Sequence, residues 1–505
     1  MLSETLTAED LLGTVILPVA NVDAAIAADW LTTVWDQNGG GYPCGPSAAV
    51  AEEVACAWLV DLLGLPGDAG VGLTTGCQMA HVTCLAAARH RVLAATGWDV
   101  EADGLFGAPP IRVLVGARAH TSVFAALRIL GLGSRRVELV GADDQGRTRP
   151  SELARLLATG DGPTIVVAQV GELNTGAVDA MPEIVQLARQ HGAWCHVDGA
   201  FGLWAAASPR LRGLVDGVAD ADSWATDAHK LLNVPYDCGV AIVRDRAAHV
   251  AAMDSFVGAE YIPPPQHDER YSSAWVPEFS RRARGFSLYA ALRELGRHGV
   301  AELVERCCRC ARLMAEELSR DPRVTLLNDV VLNQVLVRFS SDEANITDQV
   351  LEAVQREGTC WMSGTTWDGG PAMRISVCNW RTTEDDIRRS AAAIRALRKA
   401  ISSRIKLESR VVLPVMNCAS PPGWVVDSSM WVRGEVGAGG AVVVEGPAGI
   451  GKSSLLAAAC ATAIDNGMQV LQARGTELER DFPLGVARQA LEPLLHPPDA
   501  RNRLL

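Results

Sequence analysis

Ser223-Trp-Ala-Thr-Asp-Ala-His-Lys-Leu-Leu-Asn-Val-Pro-Tyr-Asp-Cys-Gly-Val240 decides how the rest of this chain reads. Lys230 follows His229 and precedes an apolar, strand-like run from Gly239 to Val243. An amine that is to form a Schiff base must lose its proton near neutral pH. Burial and cationic neighbours promote that by disfavouring the ammonium, and Lys230 is placed for both. In isolation, Ala-His-Lys reads first as a solvated lysine at a strand edge, because most lysines are exposed. The residues upstream reverse that order.

Ile111–Gly116, Thr164–Val170 and Ala193–Asp198 read as buried strands separated by helical stretches, which predicts an α/β fold with a mostly parallel sheet. The third of these ends in Asp198. A carboxylate at the C-terminal end of a buried parallel strand faces the ligand crevice of such a sheet. Gly72-Leu-Thr-Thr-Gly-Cys-Gln-Met-Ala-His81 is a Gly/Thr turn opening a helix from Gln78 to about Ala95. Free amides at Thr75, Gly76, Cys77 and Gln78 would make an anion site, although an ordinary strand-turn-helix fits these residues as well. His120 follows a strand and opens a helix. Alone it reads as a cap or core histidine.

Taken together, Asp-Ser-Trp-Ala-Thr-Asp-Ala-His-Lys and Asn-Val-Pro-Tyr-Asp-Cys-Gly resemble the cofactor-lysine motif of the group II pyridoxal-phosphate (PLP) amino-acid decarboxylases. The resemblance runs from about Ala24 to about Leu397. It implies the PLP-dependent transferase fold type I, with a large domain and a smaller C-terminal α/β domain. It also implies loss of the α-carboxylate from an L-amino acid, giving the amine and carbon dioxide through a Schiff base at Lys230. Asp198 would pair with the pyridine nitrogen, His120 would stack on the ring and Ala200 would lie against it. Asp227 and His229 would stand near the phosphate or the lysine. Thr75 to Gln78 would hold the phosphate, with Cys77 where a second glycine is usual and with Gln78 and His81 also departing from the commonest pattern. A loop at 261–275 would supply a tyrosine as proton donor, Tyr271 first and Tyr261 second; by composition it is equally a surface loop. Arg374 is a candidate for a substrate carboxylate, or for a structural role. A homodimer is implied.

Five segments are expected: 1–45, apparently truncated against the family; 46–300, the PLP-binding domain; 301–400, the small domain; 401–433, a linker; and 434–505. In the last, Gly446-Pro-Ala-Gly449-Ile-Gly451-Lys452-Ser453 follows a strand and precedes a helix, the context of a P-loop, with ATP and magnesium as its ligands. The stretch after it resembles the start of the ATPase domain of large LuxR-type regulators. It reads as a fragment that does not hydrolyse ATP.

A net charge of −13 opposes attraction to nucleic acid or an anionic membrane. Thirteen scattered cysteines over 505 residues suit a reducing cytoplasm and no disulfide framework. Cys307, Cys308 and Cys310 lie in a helical pattern and read as packing, with no metal expected. No apolar run reaches membrane-spanning length. Two other functions stay open: another PLP reaction on the same fold, such as an aminotransferase or aldehyde-forming enzyme, and a nucleotide-binding regulatory protein with an inactive decarboxylase-like part.

Overall fold

The computed structural model describes residues 22–254, 270–340 and 346–408, with two short strands further on. Residues 1–411 form one compact unit and 412–505 a second.

The first unit is built on a seven-stranded sheet. Its strands are β1 (Gly70–Thr74), β2 (Arg112–Gly116), β3 (Glu138–Val140), β4 (Thr164–Gln169), β5 (Trp194–Asp198), β6 (Ser223–Asp227) and β7 (Gly239–Val243). The order is β1-β7-β6-β5-β4-β2-β3. Every pair from β6 to β3 is parallel, whereas β7 runs antiparallel between β6 and β1. The buried strand Thr-Ile-Val-Val-Ala-Gln of β4 shows why: helices cover both faces of a parallel sheet, so its central strands are apolar throughout.

One face is covered by α3 (Cys77–Ala94) and α4 (Thr121–Ile129), whose Ala80, Leu85, Ala87 and Leu127 pack on Val113, Ile165 and Ala241. The other is covered by α2 (Pro46–Leu63), α5 (Pro150–Ala158), α6 (Met181–Gln190) and the fully buried Trp204 and Trp224. Helix α7 (Arg246–Met253) follows β7. The N-terminal helix α1 (Asp23–Trp35) packs on α8 (Gly285–Ser319). Helix α8 breaks at Gly296, whose φ of 57° favours glycine. Cys307, Cys308 and Cys310 are buried in its second half, as helix packing requires.

Beyond α8, β8 (Val324–Leu326), β9 (Gln334–Phe339), β10 (Ser363–Trp367) and β11 (Gly370–Ser376) make a sheet ordered β10-β11-β9-β8, with every pair antiparallel. Helices α9 (Ile346–Glu357) and α10 (Glu384–Glu408) close a separate core with Val335, Val337 and Met373.

In the second unit, Trp431–Arg433 pairs antiparallel with Val443–Glu445, the end of the run expected to precede the P-loop. Gly446, Gly449, Gly451, Lys452 and Ser453 lie outside the described residues, as does Tyr261.

Candidate active site

Strand β6 delivers Asp227 at its buried end, and the chain turns at once through Ala228, His229 and Lys230. The amides of Ala228 and His229 donate to Cys238 O, and the amide of Val234 donates to Ala228 O, so the turn is fixed against β7. Lys230 Nζ lies 3.0 Å from Asp227 Oδ2, with its side chain 38% exposed. Burial opposes the ammonium, but Asp227, with smaller help from Asp198, outweighs it and raises the amine above its ordinary range. This corrects the expectation of a lowered amine. The supposed cationic neighbour His229 is itself driven toward its neutral form, chiefly by burial. The local charge is a carboxylate.

Asp227 also fixes the turn expected to bind phosphate. Its Oδ1 accepts from the Cys77 amide at 2.6 Å, across 150 residues of sequence. Thr74 Oγ1 donates to Gly76 O at 3.1 Å. Gly76 has no side chain to cap helix α3, and Asp227 already takes the Cys77 amide, so an anion would have to bind at the amides beside it. Thr75 and Gln78 are exposed and Gly76 half-buried. Cys77 is buried, and its thiol is pushed well above its usual range, chiefly by burial.

Asp198 ends β5 at 4% exposure, where its Oδ1 accepts from the Ala200 amide at 3.2 Å. His120 caps α4: its Nδ1 accepts from the Ser122 amide at 3.2 Å and lies 2.7 Å from Ser122 Oγ. The reading of His120 as a helix cap is therefore realised, and Nε2 of the same ring is left over. Burial lowers its pKa, while Asp198, Lys230, Arg374 and Asp227 all act on it electrostatically. Arg374 reaches this group from β11. It donates to Ser363 Oγ at 3.0 Å, and its buried Nε has no partner among the described residues.

Tyr271 is buried with its ring against Gly41. A different tyrosine stands at the lysine turn: Tyr236 stacks on His229 at 4.3 Å between ring centroids. Sequence reading missed it, although it lies only six residues beyond Lys230. Arg374, already a candidate by sequence, acts on His120 electrostatically from the second sheet, an influence sequence could not show. Cys77 Sγ, His81 Nε2 and Asp198 have ligand atoms within 4.8 Å of one another, a spacing that would admit a metal. Three ligand groups fall one short of the four of a closed zinc site.

A lysine amine beside one buried carboxylate, a second buried carboxylate ending β5 and the start of α3 fit the groups of PLP. The comparisons agree. The pyridoxal-dependent decarboxylase conserved domain matches residues 14–340. The L-2,4-diaminobutyrate decarboxylase of Rhizobium meliloti is 30% identical over 384 residues, 73% of this chain and 74% of that protein. The aromatic-L-amino-acid decarboxylase of Bacillus atrophaeus is 24% identical over 401 residues, 76% and 81% of the two chains. In fold, the chain resembles the Oryza sativa TDC solved with PLP and tryptamine, with a TM-score of 0.70 at 22% identity over 76% of this chain and 82% of that one. The chain belongs to the pyridoxal-dependent decarboxylase family. Its activity class is that of a PLP-dependent carboxy-lyase acting on amino acids.

One glycine holds the Gly76 turn in place. A Cβ on Gly239 would lie 2.4 Å from the Gly76 carbonyl carbon, a backbone contact that cannot rotate away. Gly239→Ala is expected to displace the start of α3 at a cost of about 1–3 kcal/mol. The check is PLP content per chain after dialysis, which should fall well below that of the wild type.

Proposed function

We propose that this protein decarboxylates an L-amino acid using PLP linked to Lys230. The observation that supports the reading is one linked cluster: Lys230 Nζ lies 3.0 Å from Asp227 Oδ2, Asp227 Oδ1 accepts from the Cys77 amide, and His81 Nε2 lies 3.5 Å from Cys77 Sγ and 3.6 Å from Asp198 Oδ2. Lys230, Asp198, His120, Ala200 and the first-turn amides of α3 would hold the cofactor. PLP, when bound, supplies an aldehyde for the substrate amine and a ring that accepts the electrons left behind by carbon dioxide.

The residues divide the remaining work. Asp198 keeps a proton on the ring nitrogen. His120, with Nδ1 occupied as an acceptor, carries its proton on Nε2 when neutral and so offers a hydrogen-bond donor to the site. Lys230 would carry the cofactor linkage, and its Nζ, 3.0 Å from Asp227, is placed to hold or pass a proton. Tyr271 remains a proton-donor candidate at a partner copy's site or its own. A homodimer is proposed on the family resemblance, and Trp30, Leu31, Val34 and Trp35 of α1 offer an exposed apolar face to a second copy. The division into a 46–300 cofactor domain and a 301–400 small domain, a cytoplasmic location, and ATP with magnesium at Gly446–Ser453 are retained as proposals on the sequence.

The test is carbon dioxide release from a panel of L-amino acids, together with borohydride reduction and peptide mapping of the PLP adduct. The adduct should map to Lys230. Mapping to any other lysine, or finding no adduct, overturns the reading.

Arg374 is proposed to bind a carboxylate of the substrate. Its unpartnered Nε is a buried donor awaiting an acceptor. Arg374→Ala is expected to remove about 1.5–3 kcal/mol of charge-assisted binding, roughly 10- to 150-fold in KM, with a smaller change in kcat. Steady-state kinetics separates the two.

A further inference from the structure

Behind Asp198 lies a buried line of side chains that the reaction above does not use. His81 Nε2 is 3.6 Å from Asp198 Oδ2 and 3.5 Å from Cys77 Sγ. His81 Nδ1 is 2.9 Å from His196 Nε2, and His196 Nδ1 is 2.9 Å from Ser223 Oγ. Trp194 Nε1 donates to the same Ser223 Oγ at 2.9 Å. His81, His196 and Ser223 are fully buried. The backbone explains the alignment. Trp194, His196 and Asp198 alternate along β5 and share one face, and Cys77 and His81 are four apart on α3, one turn above each other.

The hydrogen bonds give the line a direction. Trp194 can only donate, so Ser223 Oγ accepts from it, and its own hydrogen stays free to turn toward His196 Nδ1. His196 then carries its proton on Nε2 and donates to His81 Nδ1. His81 in turn carries its proton on Nε2, facing Asp198. The opposite order would set a histidine lone pair against the carboxylate. Burial keeps both rings neutral, each lowered to about 3, so one proton per ring is the rule. Asp227, His120 and Lys230 also act on His81, and Asp198 acts on His196. At 3.6 Å the last contact is charge to dipole rather than a hydrogen bond, and it gains strength from the dry surroundings.

We propose that His81, held in one tautomer by His196 and Ser223, is a positioning residue that keeps Asp198 aimed at the ring nitrogen of the cofactor. The proposal rests on the assignment of Asp198 above. It gives His81 a purpose where the sequence departs from the commonest family pattern.

The test compares wild-type protein with His81→Leu, His81→Asn and Ser223→Ala, each loaded with PLP. Two quantities are read: the dissociation constant of PLP from the apoprotein, and the pH midpoint of the visible absorbance of the loaded protein. His81→Leu should weaken PLP by about 10- to 100-fold, the range seen when the outer partner of a ligating group is lost. It should also move the absorbance midpoint. His81→Asn, which can present an N–H to Asp198, should restore most of both. Ser223→Ala, which leaves the site itself intact, should move the midpoint in the same direction by less. A midpoint unchanged in both His81→Leu and Ser223→Ala overturns the inference while leaving the decarboxylase reading intact. Wild-type protein that forms no borohydride-stable adduct overturns both.

Discussion

Lys230→Ala is expected to lower turnover by about 10²–10⁴-fold, the span of a lost acid–base group, and to abolish borohydride-stable incorporation of PLP. The expectation follows from the geometry of the turn. Lys230 Nζ is 3.0 Å from Asp227, and Asp227 in turn holds the Cys77 amide at the start of α3. Removing the amine therefore removes the covalent anchor and the proton it carries, but leaves Asp227 bound to Cys77. The variant should remain folded, and circular dichroism should overlay that of the wild type. Lys230→Arg is the informative control. It restores a cation beside Asp227 but cannot form the linkage, so it should be as inactive as the alanine variant. Turnover above one hundredth of wild type in Lys230→Ala would count against the assignment.

Glu52→Ala should produce the largest loss of stability, about 3–5 kcal/mol, the range for breaking a buried ion pair from one side. Glu52 of α2 is 1% exposed. Its Oε2 pairs with Arg281 Nη2, and its Oε1 lies 3.4 Å from Arg270 Nη2. Arg281 also donates to Leu73 O at 2.9 Å, which ties the pair to β1. Without the carboxylate, two guanidinium groups stay buried with no counter-charge. Chemical denaturation of the wild type and the variant measures the difference.

The pH dependence gives a second check on the same residue. Burial pushes the Glu52 carboxyl up, but Arg281 and Arg270 outweigh it, so its pKa in the folded chain lies below the ordinary 4.5. A carboxylate depressed on folding stabilises at pH values above its unfolded pKa, and that stabilisation is lost as pH falls through the folded value. The gap between wild type and Glu52→Ala should hold constant from neutral pH down to about pH 5 and narrow below 4.5. The buried histidines act earlier. His81 and His196 fall to about 3 and His249 to about 4, so the unfolded chain takes up protons that the folded chain refuses as pH drops from about 6.5. Both proteins should therefore lose stability together over that higher range.

The sequence by itself determined the frame of this protein. Continuous apolar runs such as Thr164–Gln169 can only be strands covered on both faces, and an aspartate closing one of them must face the crevice. Asp198 was legible at the C-terminal end of a buried strand, whereas Asp227, His229 and Lys230 were singled out by the resemblance of their motif. His120 was legible as a cap because it follows a strand and opens a helix. What the chain could not reveal were pairings between distant segments. The partner that sets the charge of Lys230 is only three residues away, yet its effect required knowing that both point into one dry turn, and the lowered amine expected from a neighbouring histidine gave way to a carboxylate 3.0 Å off. His81 meets His196 across 115 residues, Glu52 meets Arg281 across 229, and Arg374 enters from a second sheet. Hydrophobic period fixes which side of an element is buried, not which buried polar group will stand opposite. Only the packing of helices on the sheet decides that, because a desolvated charge or imidazole must find its partner wherever the fold has put one.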